Sequence, residues 1–336
     1  MTLKFGILDQ STIFPGQTPR EALENTTRLA QLAERLGYER FWVAEHHDTE
    51  TFAGSSPEVL ISHLLAHTEH IRIGSGGVML QHYSPYKVAE NFNVLALLAP
   101  GRVDLGIGRA PGGLPRSTKA LQKGITEADT LDVKLAELVQ FLHGSASEEH
   151  PLAGLQASPL PDVPADVHLL GASLSSAELA AELGLPYVYA LFINSDPEVA
   201  LRAFRTYRSK FNRTRGTEPK TILALSVIAS DTEEEAAELA GTLKSIHVTL
   251  ASGKTVNVTS LEQAEEFARQ SGETYETEER DVEVIKGTKE TVRKRLLELA
   301  ERYETNEMIF ATVVPDFEKR VRSFTLLKEA FEEHTV

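Results

Sequence analysis

Two adjacent imidazoles, His46 and His47, directly follow the carboxylate of Glu45, and farther along the chain Arg109 follows Gly106-Ile107-Gly108. Beyond these, Gly171-Ala172-Ser173-Leu174-Ser175-Ser176 gathers small residues and hydroxyls just ahead of an apolar helical pattern. Free N–H groups at a helix start, together with the helix dipole, hold a phosphate well, and an arginine adds a bidentate positive contact. The same serines also suit a plain cap, since serine is a leading N-cap residue. Arg109 turns the reading toward phosphate.

Metal chemistry fits less well. Adjacent residues of an extended segment point to opposite sides, so His46 and His47 do not chelate one ion, and at most one of them faces a given site. His63 and His67 stand at i, i+4, but Leu64 occupies the place of the glutamate that a zinc-protease helix needs, which leaves surface or subunit-contact histidines. No metal site is expected. Gly74, Gly76 and Gly77, set within an apolar run, imply either a bulge or backbone that approaches a ligand. Gly106-Ile107-Gly108 opens like a dinucleotide fingerprint, yet Pro111 takes the place of its last glycine. The sequence has no Ser-His-Asp order and no Gly-x-Ser-x-Gly elbow, and with no cysteine it has no thiol nucleophile, thiolate metal site or disulfide.

These groups need elements to carry them. Short apolar runs at Leu3–Leu8, Phe41–Ala44, Ile71–Leu80, Val103–Ile107, Val167–Leu170, Tyr187–Ile193, Thr221–Ala229 and Met308–Val313 read as eight strands. Helical patterns lie between them. Leu29, Leu32, Ala33 and Leu36 share a face ended by Gly37; Pro57 opens a helix through Leu65; Ser84 caps one that starts at Pro85. Ser175 and Glu178 form a capping-box pair, Ala236, Leu239, Ala240 and Leu243 share a face, Thr288 caps a helix through Tyr303, and Phe317–Phe331 is the last. Strands buried on both faces and alternating with helices predict an α/β fold, a TIM (β/α)8 barrel, as one domain over 1–336. The competing doubly wound sheet wants a Gly-rich first turn, and Asp9 to Gly16 does not supply one. Two regions break the rhythm as loop insertions at the C-terminal face. Residues 109–165 read as an elaborated loop after strand four with one helix near Ala128–Leu142, and the acidic stretch 245–285, with a helix at Leu261–Ser271, reads as an insertion and a possible lid.

In such a barrel the reacting groups stand just after the strands, which is where Glu45-His46-His47, Arg109 and the 171–176 segment fall. Composition narrows the partners. With 34 Lys and Arg against 49 Asp and Glu, the formal charge of −15 argues against a nucleic-acid partner. The absence of a signal-like N-terminus or a membrane-length apolar run predicts a soluble cytoplasmic protein.

Phe41-Trp42-Val43-Ala44-Glu45-His46-His47, then Ile71-Arg72-Ile73-Gly74-Ser75-Gly76-Gly77-Val78, Pro85-x-x-Val88-Ala89-Glu90 and Gly101-Arg102-Val103-Asp104-Leu105-Gly106-Ile107-Gly108-Arg109 together resemble the bacterial-luciferase-like flavin monooxygenases. The likeness runs from about residue 3 to residue 330. It implies a barrel that binds FMN, a cis peptide at Gly76–Gly77 supporting the flavin ring, phosphate contacts from Arg109, Ser173, Ser176 and the Ala172 backbone, and His46 as the catalytic histidine. The activity it implies is oxidation of a small organic substrate by reduced flavin and dioxygen, with a separate flavin reductase as a candidate supplier and a homodimer as the assembly. Gly108 stands where luciferases proper carry a reactive cysteine, so light emission is not implied. A deazaflavin-dependent dehydrogenase on the same barrel and a flavin-binding protein without catalysis are the alternatives. An isomerase-like or aldolase-like phosphate-binding barrel would want a strand-end lysine, which the segments above lack.

Overall fold

The computed structural model describes residues 3–125, 129–144, 146, 148–214, 216–241 and 244–332. The chain opens with β1 (Lys4–Asp9), α1 (Pro19–Arg35), β2 (Arg40–Val43), α2 (Pro57–Ala66), β3 (Arg72–Val78), α3 (Pro85–Leu98) and β4 (Val103–Ile107). After α4 (Pro115–Leu121) and α5 (Leu131–His143) come β5 (Asp166–Gly171), α6 (Leu174–Glu182), β6 (Tyr187–Ala190), α7 (Pro197–Lys210), β7 (Thr221–Ala229) and α8 (Glu233–Ala240). The last third holds β8 (Lys244–Leu250), β9 (Thr255–Val258), α9 (Leu261–Ser271), β10 (Tyr275–Asp281), β11 (Val284–Gly287), α10 (Lys289–Tyr303), β12 (Glu307–Ala311) and α11 (Phe317–Glu332).

Eight parallel strands, in the order β1-β2-β3-β4-β5-β6-β7-β12, close into a barrel when β12 pairs back onto β1. It is a TIM barrel. The strands alternate as their sequence demands: Phe41 and Val43 of β2 face the helices, while Trp42 and Ala44 face the barrel interior. Two apolar shells result. Leu8, Trp42, Ala44, Val188, Ile222, Ala224 and Ile309 fill the upper interior, and a much larger shell lies between strands and helices.

The floor of the interior is charged instead. Arg40, at the start of β2, meets Asp104 and Glu307, with its Nε 2.6 Å from Glu307 Oε1. Arg72 and the Trp42 indole N–H also donate to Asp104, at 2.7–2.9 Å. Burial alone would raise the Asp104 carboxyl, but Arg40, His168 and Arg72 pull it down to about 2.

Residues 244–281 form a separate layer. β8 pairs antiparallel with β9 and β10 into a three-stranded sheet backed by α9, with Ile246, Val248, Leu250, Ala264 and Phe267 as a small core. The helix falls where the sequence pattern sets it, but three strands lie in a stretch that reads as merely polar and acidic. β10 is exposed at every position and carries no hydrophobic alternation, while β8 does alternate, through Ile246, Val248 and Leu250. β11 adds to the edge of β7 beyond the part of β7 that pairs with β12.

Other boundaries differ from the sequence pattern. The 109–165 region holds α4 as well as α5, and Ala128, the expected helix start, lies outside the described residues. β6 ends at Ala190, because Leu191–Ile193 turns out of the sheet. The cap of α6 is Ser173 with Ser176 at its third helical position, and not Ser175 with Glu178. Glu178 instead holds Lys210 Nζ at 2.7 Å. α1 starts with a Thr18–Glu21 capping box. On α8, Ala236 and Ala240 are buried and Leu239 packs partly against the core, while Leu243 lies outside the described residues. Among the described residues no helix is long and apolar enough to cross a membrane, and no three His, Asp or Glu side chains are grouped to hold a metal ion.

Candidate active site

The sequence-selected residues fall on one arc of the barrel mouth, at the C-terminal ends of the consecutive strands β2 to β5. His46 follows β2, the Gly76–Gly77 bond lies near the end of β3, Arg109 follows β4, and Ala172, Ser173 and Ser176 follow β5.

The β5 end is built for close approach. A side chain at Gly171 would collide with Ser176, so glycine lets the strand run directly into the first turn of α6. Ser173 Oγ accepts the Ser176 N–H at 3.3 Å and caps that helix. Ser176 turns inward: its hydroxyl donates to the Ser173 carbonyl at 2.8 Å and meets Tyr187 OH at 2.9 Å. The Ala172 carbonyl accepts Asn194 Nδ2 at 3.1 Å. Ser175 is the exposed hydroxyl of the group, and Arg109 Nη1 donates to it at 3.1 Å across from β4. A guanidinium is thereby set at a helix N-terminus, an arrangement that attracts a doubly charged phosphate.

The Gly76–Gly77 peptide is cis. A Cβ on Gly76 would lie 2.7 Å from Leu8 Cδ1, and one on Gly77 would lie 2.6 Å from the Gly106 carbonyl, where β3 and β4 shift register. Both a bulge and a close backbone approach are present at this pair.

His46 lines a cleft of about 520 Å³ with Asp48, Thr49, Glu50, Phe52, Ala53, Ser55 and Arg116. Its ring stacks on Phe52 with centroids 4.2 Å apart, and its Nε2 is buried without a partner. Burial and the neighbouring His47 lower its pKa to about 4 against the opposing pull of Glu45, so the ring is neutral at pH 7. Among the described residues lining the cleft, Arg116 is the one cation. It holds Asp48 in a two-pronged contact at 2.9–3.0 Å, and its backbone N–H donates to Gln270 of α9 at 2.7 Å. Leu114, beside it, packs into the small core of the 244–281 layer.

His47 turns the other way, onto Glu45, as the alternation of an extended segment requires. Glu45 and Tyr83 stand in strand-end segments that the sequence places at the mouth, after strands two and three, but with no role assigned, and Phe52 is a site neighbour that the sequence reading passes over. The signal for the first was in plain view, since Glu45 and His47 are two apart and share a side. Tyr83 and Phe52 come from separate loops and carry no such signal.

Comparison with known proteins gives the family and the fold. A family model described as luciferase-like monooxygenase matches residues 3–305. The N-acetyl-S-alkylcysteine monooxygenase of Bacillus subtilis (strain 168) is 43% identical over 329 residues, which cover 98% of each protein. The crystal structure of apo-MsnO8 has a TM-score of 0.82 at 34% identity, covering 98% of each chain. Two more distant structures share the fold. The oxygenating constituent of 3,6-diketocamphane monooxygenase from Pseudomonas putida, in complex with FMN, has a TM-score of 0.71 at 16% identity over 100% and 99% of the chains. An F420-dependent secondary alcohol dehydrogenase has a TM-score of 0.68 at 15% identity over 99% and 100%. By its family match and by the extent of its identity to named monooxygenases, the chain belongs to the luciferase-like monooxygenases.

Proposed function

We propose that this protein is an FMN-dependent monooxygenase that uses reduced flavin and dioxygen to oxidise a small organic substrate. The observation that carries the reading is the Arg109 guanidinium on Ser175 at the N-terminus of α6, a ready phosphate cradle at the barrel mouth. The residues present suit the cofactor: the orphaned Nε2 of His46 calls for a hydrogen-bond partner, and glycine at 76 and 77 lets β3 lie close against Leu8 and the Gly106 backbone with no side chain there to obstruct the mouth. Arg109, Ser173, Ser175 and the backbone at Ala172 and Ser176 would hold the phosphate, and Gly76, Gly77 and His46 would adjoin the flavin ring. Reduced flavin, when bound, supplies the electrons that activate dioxygen. His46, neutral at working pH, offers a hydrogen bond or takes a proton at Nε2. The 244–281 layer, joined to the cleft through Arg116 and Gln270, serves as a lid against water.

A thioether acid is the substrate class to test first. The relative from Bacillus subtilis is named for N-acetyl-S-alkylcysteine, and Arg116, already gripping a carboxylate, suits the acid group of such a molecule. Two copies associate through the apolar face of α2 and α3, where Val59, Val94, Leu97 and Leu98 are exposed.

Anaerobic titration with dithionite-reduced FMN and with reduced deazaflavin coenzyme, followed by oxygen consumption with N-acetyl-S-methylcysteine, tests the reading. Preferential FMN binding and substrate-dependent oxygen uptake are expected. Preference for the deazaflavin would move the protein to hydride transfer, and FMN binding without oxygen uptake would leave a binding protein.

A further inference from the structure

Glu45 takes no part in the function proposed above, yet its side chain is completely enclosed. Its Oε2 accepts the Met79 N–H at 3.0 Å, and its Oε1 accepts the Tyr83 hydroxyl at 2.7 Å. The same Oε1 lies 2.7 Å from His47 Nε2, the third polar partner of this carboxyl group. No lysine or arginine among the described residues pairs with Glu45, so His47, Tyr83 and the Met79 N–H are the contacts that offset the cost of its burial.

The three partners come from both flanks of one segment. His47 belongs to the strand end that carries His46, Met79 follows β3, and Tyr83 precedes α3. The stretch from Leu80 to Tyr83 is itself fixed from behind: Lys134 Nζ donates to the Gln81 and Tyr83 carbonyls at 3.0 Å, and His82 Nε2 holds the Pro111 carbonyl at 2.7 Å. The backbone N–H of His47 donates to the Gly112 carbonyl at 2.7 Å, which ties the β4 loop to the same point.

We infer that Glu45 is a positioning residue for His46: by binding His47, Tyr83 and the Met79 N–H on one carboxylate, it pins the residues on either side of His46 and directs that imidazole into the cleft. The inference rests on His46 acting as the catalytic histidine. It adds to two contacts that His46 makes itself, the ring stacked on Phe52 and the backbone N–H donated to the Gly54 carbonyl at 2.8 Å, a hold on the residues before and after it.

Glu45→Gln and Tyr83→Phe separate these roles. The glutamine presents an NH2 group to at least one of the three partners, whereas Tyr83→Phe removes a single donor and keeps the carboxylate. Ring-nitrogen NMR spectra of 15N-histidine-labelled, ligand-free protein at neutral pH are the primary readout. In Glu45→Gln the His46 and His47 signals are expected to move together, with kcat on N-acetyl-S-methylcysteine and reduced FMN falling at least tenfold while KM and flavin affinity stay within twofold. Tyr83→Phe shows smaller changes in the same direction, and it carries the test alone should Glu45→Gln not fold. Unmoved His46 signals in a folded variant, or a loss that appears in flavin affinity and not in kcat, overturn the inference. Failure of the wild-type protein to bind reduced FMN overturns the flavin reading instead, and the spectra still decide whether Glu45 orients His46.

Discussion

The two ends of the barrel bury carboxylates in opposite ways. At the floor, Asp104 and Glu307 face the guanidiniums of Arg40 and Arg72 and the ammonium of Lys220, so charge meets charge. At the mouth, Glu45 faces a phenol, an imidazole and a peptide N–H, while the cations there, Arg109 and Arg116, stay exposed. A floor whose charges are mutually cancelled has nothing to offer a ligand and serves to close the barrel. A mouth that sets Arg109 at the surface by the N-terminus of α6, away from the Arg116–Asp48 pair, holds the means to receive an anion.

Breaking the floor should therefore cost stability and leave binding alone. Asp104→Ala strands the Arg40 side chain, which is 2% exposed, and leaves the Trp42 N–H without its acceptor. Loss of one partner from such a buried pair costs about 3–5 kcal/mol. Urea denaturation followed by Trp42 fluorescence measures it, and the protein that remains folded should bind reduced FMN as tightly as wild type. A loss under about 1 kcal/mol would mean that the floor charges are not what closes the barrel.

The mouth should respond in the reverse sense. Arg109 is exposed, and among the described residues its side chain hydrogen-bonds Ser175, so Arg109→Ala should change stability by no more than about 0.5 kcal/mol. A hydrogen bond to a charged group contributes roughly 1.5–3 kcal/mol, which corresponds to about a tenfold to hundredfold weaker grip on FMN. Riboflavin, which has no phosphate, should bind wild type and variant equally. Equal loss for both flavins would place Arg109 away from the phosphate.

Much of this contrast was legible in the sequence, and the illegible part has a physical cause. The barrel was readable because strands buried on both faces leave continuous apolar runs, and the arc of site residues was readable because active groups follow strand ends. The cap of α6 lies two residues before the expected one, since Ser173, Ser175 and Ser176 are chemically alike and the backbone geometry that lets Ser173 accept the Ser176 N–H is not written in residue type. In the β8–β10 sheet, β10 was hidden because it buries no residue at all, whereas the alternation of Ile246, Val248 and Leu250 in β8 stood in the sequence and went unread. The Glu45 cluster was half visible: the spacing to His47 is local, but Tyr83 and Met79 reach it from another strand end.

The smallest expected effect compares the ends through one residue type. His46 at the mouth and His168 at the floor both have a buried Nε2 without a partner, and burial foremost lowers each pKa to about 4. At His168, Arg40 and Lys220 add to that lowering while Asp104 opposes it; at His46, His47 adds and Glu45 opposes. Both folded values lie below the unfolded value of about 6.5, so between these pH values the unfolded chain binds protons that the native chain does not. Stability is then fully present above about pH 6.5 and falls as the pH drops toward 4, by up to about 1.4 kcal/mol per pH unit for each histidine. Replacing either ring with glutamine should flatten this slope by a similar amount in urea titrations across that range. Only His46→Gln should also abolish oxygen uptake with the thioether substrate, because the floor histidine stabilises the same fold without touching the reaction. A slope unchanged by His168→Gln would show that burial does not hold this ring neutral in the native barrel, and His168 would then join Arg40, Arg72 and Lys220 as a fourth cation around Asp104 and Glu307.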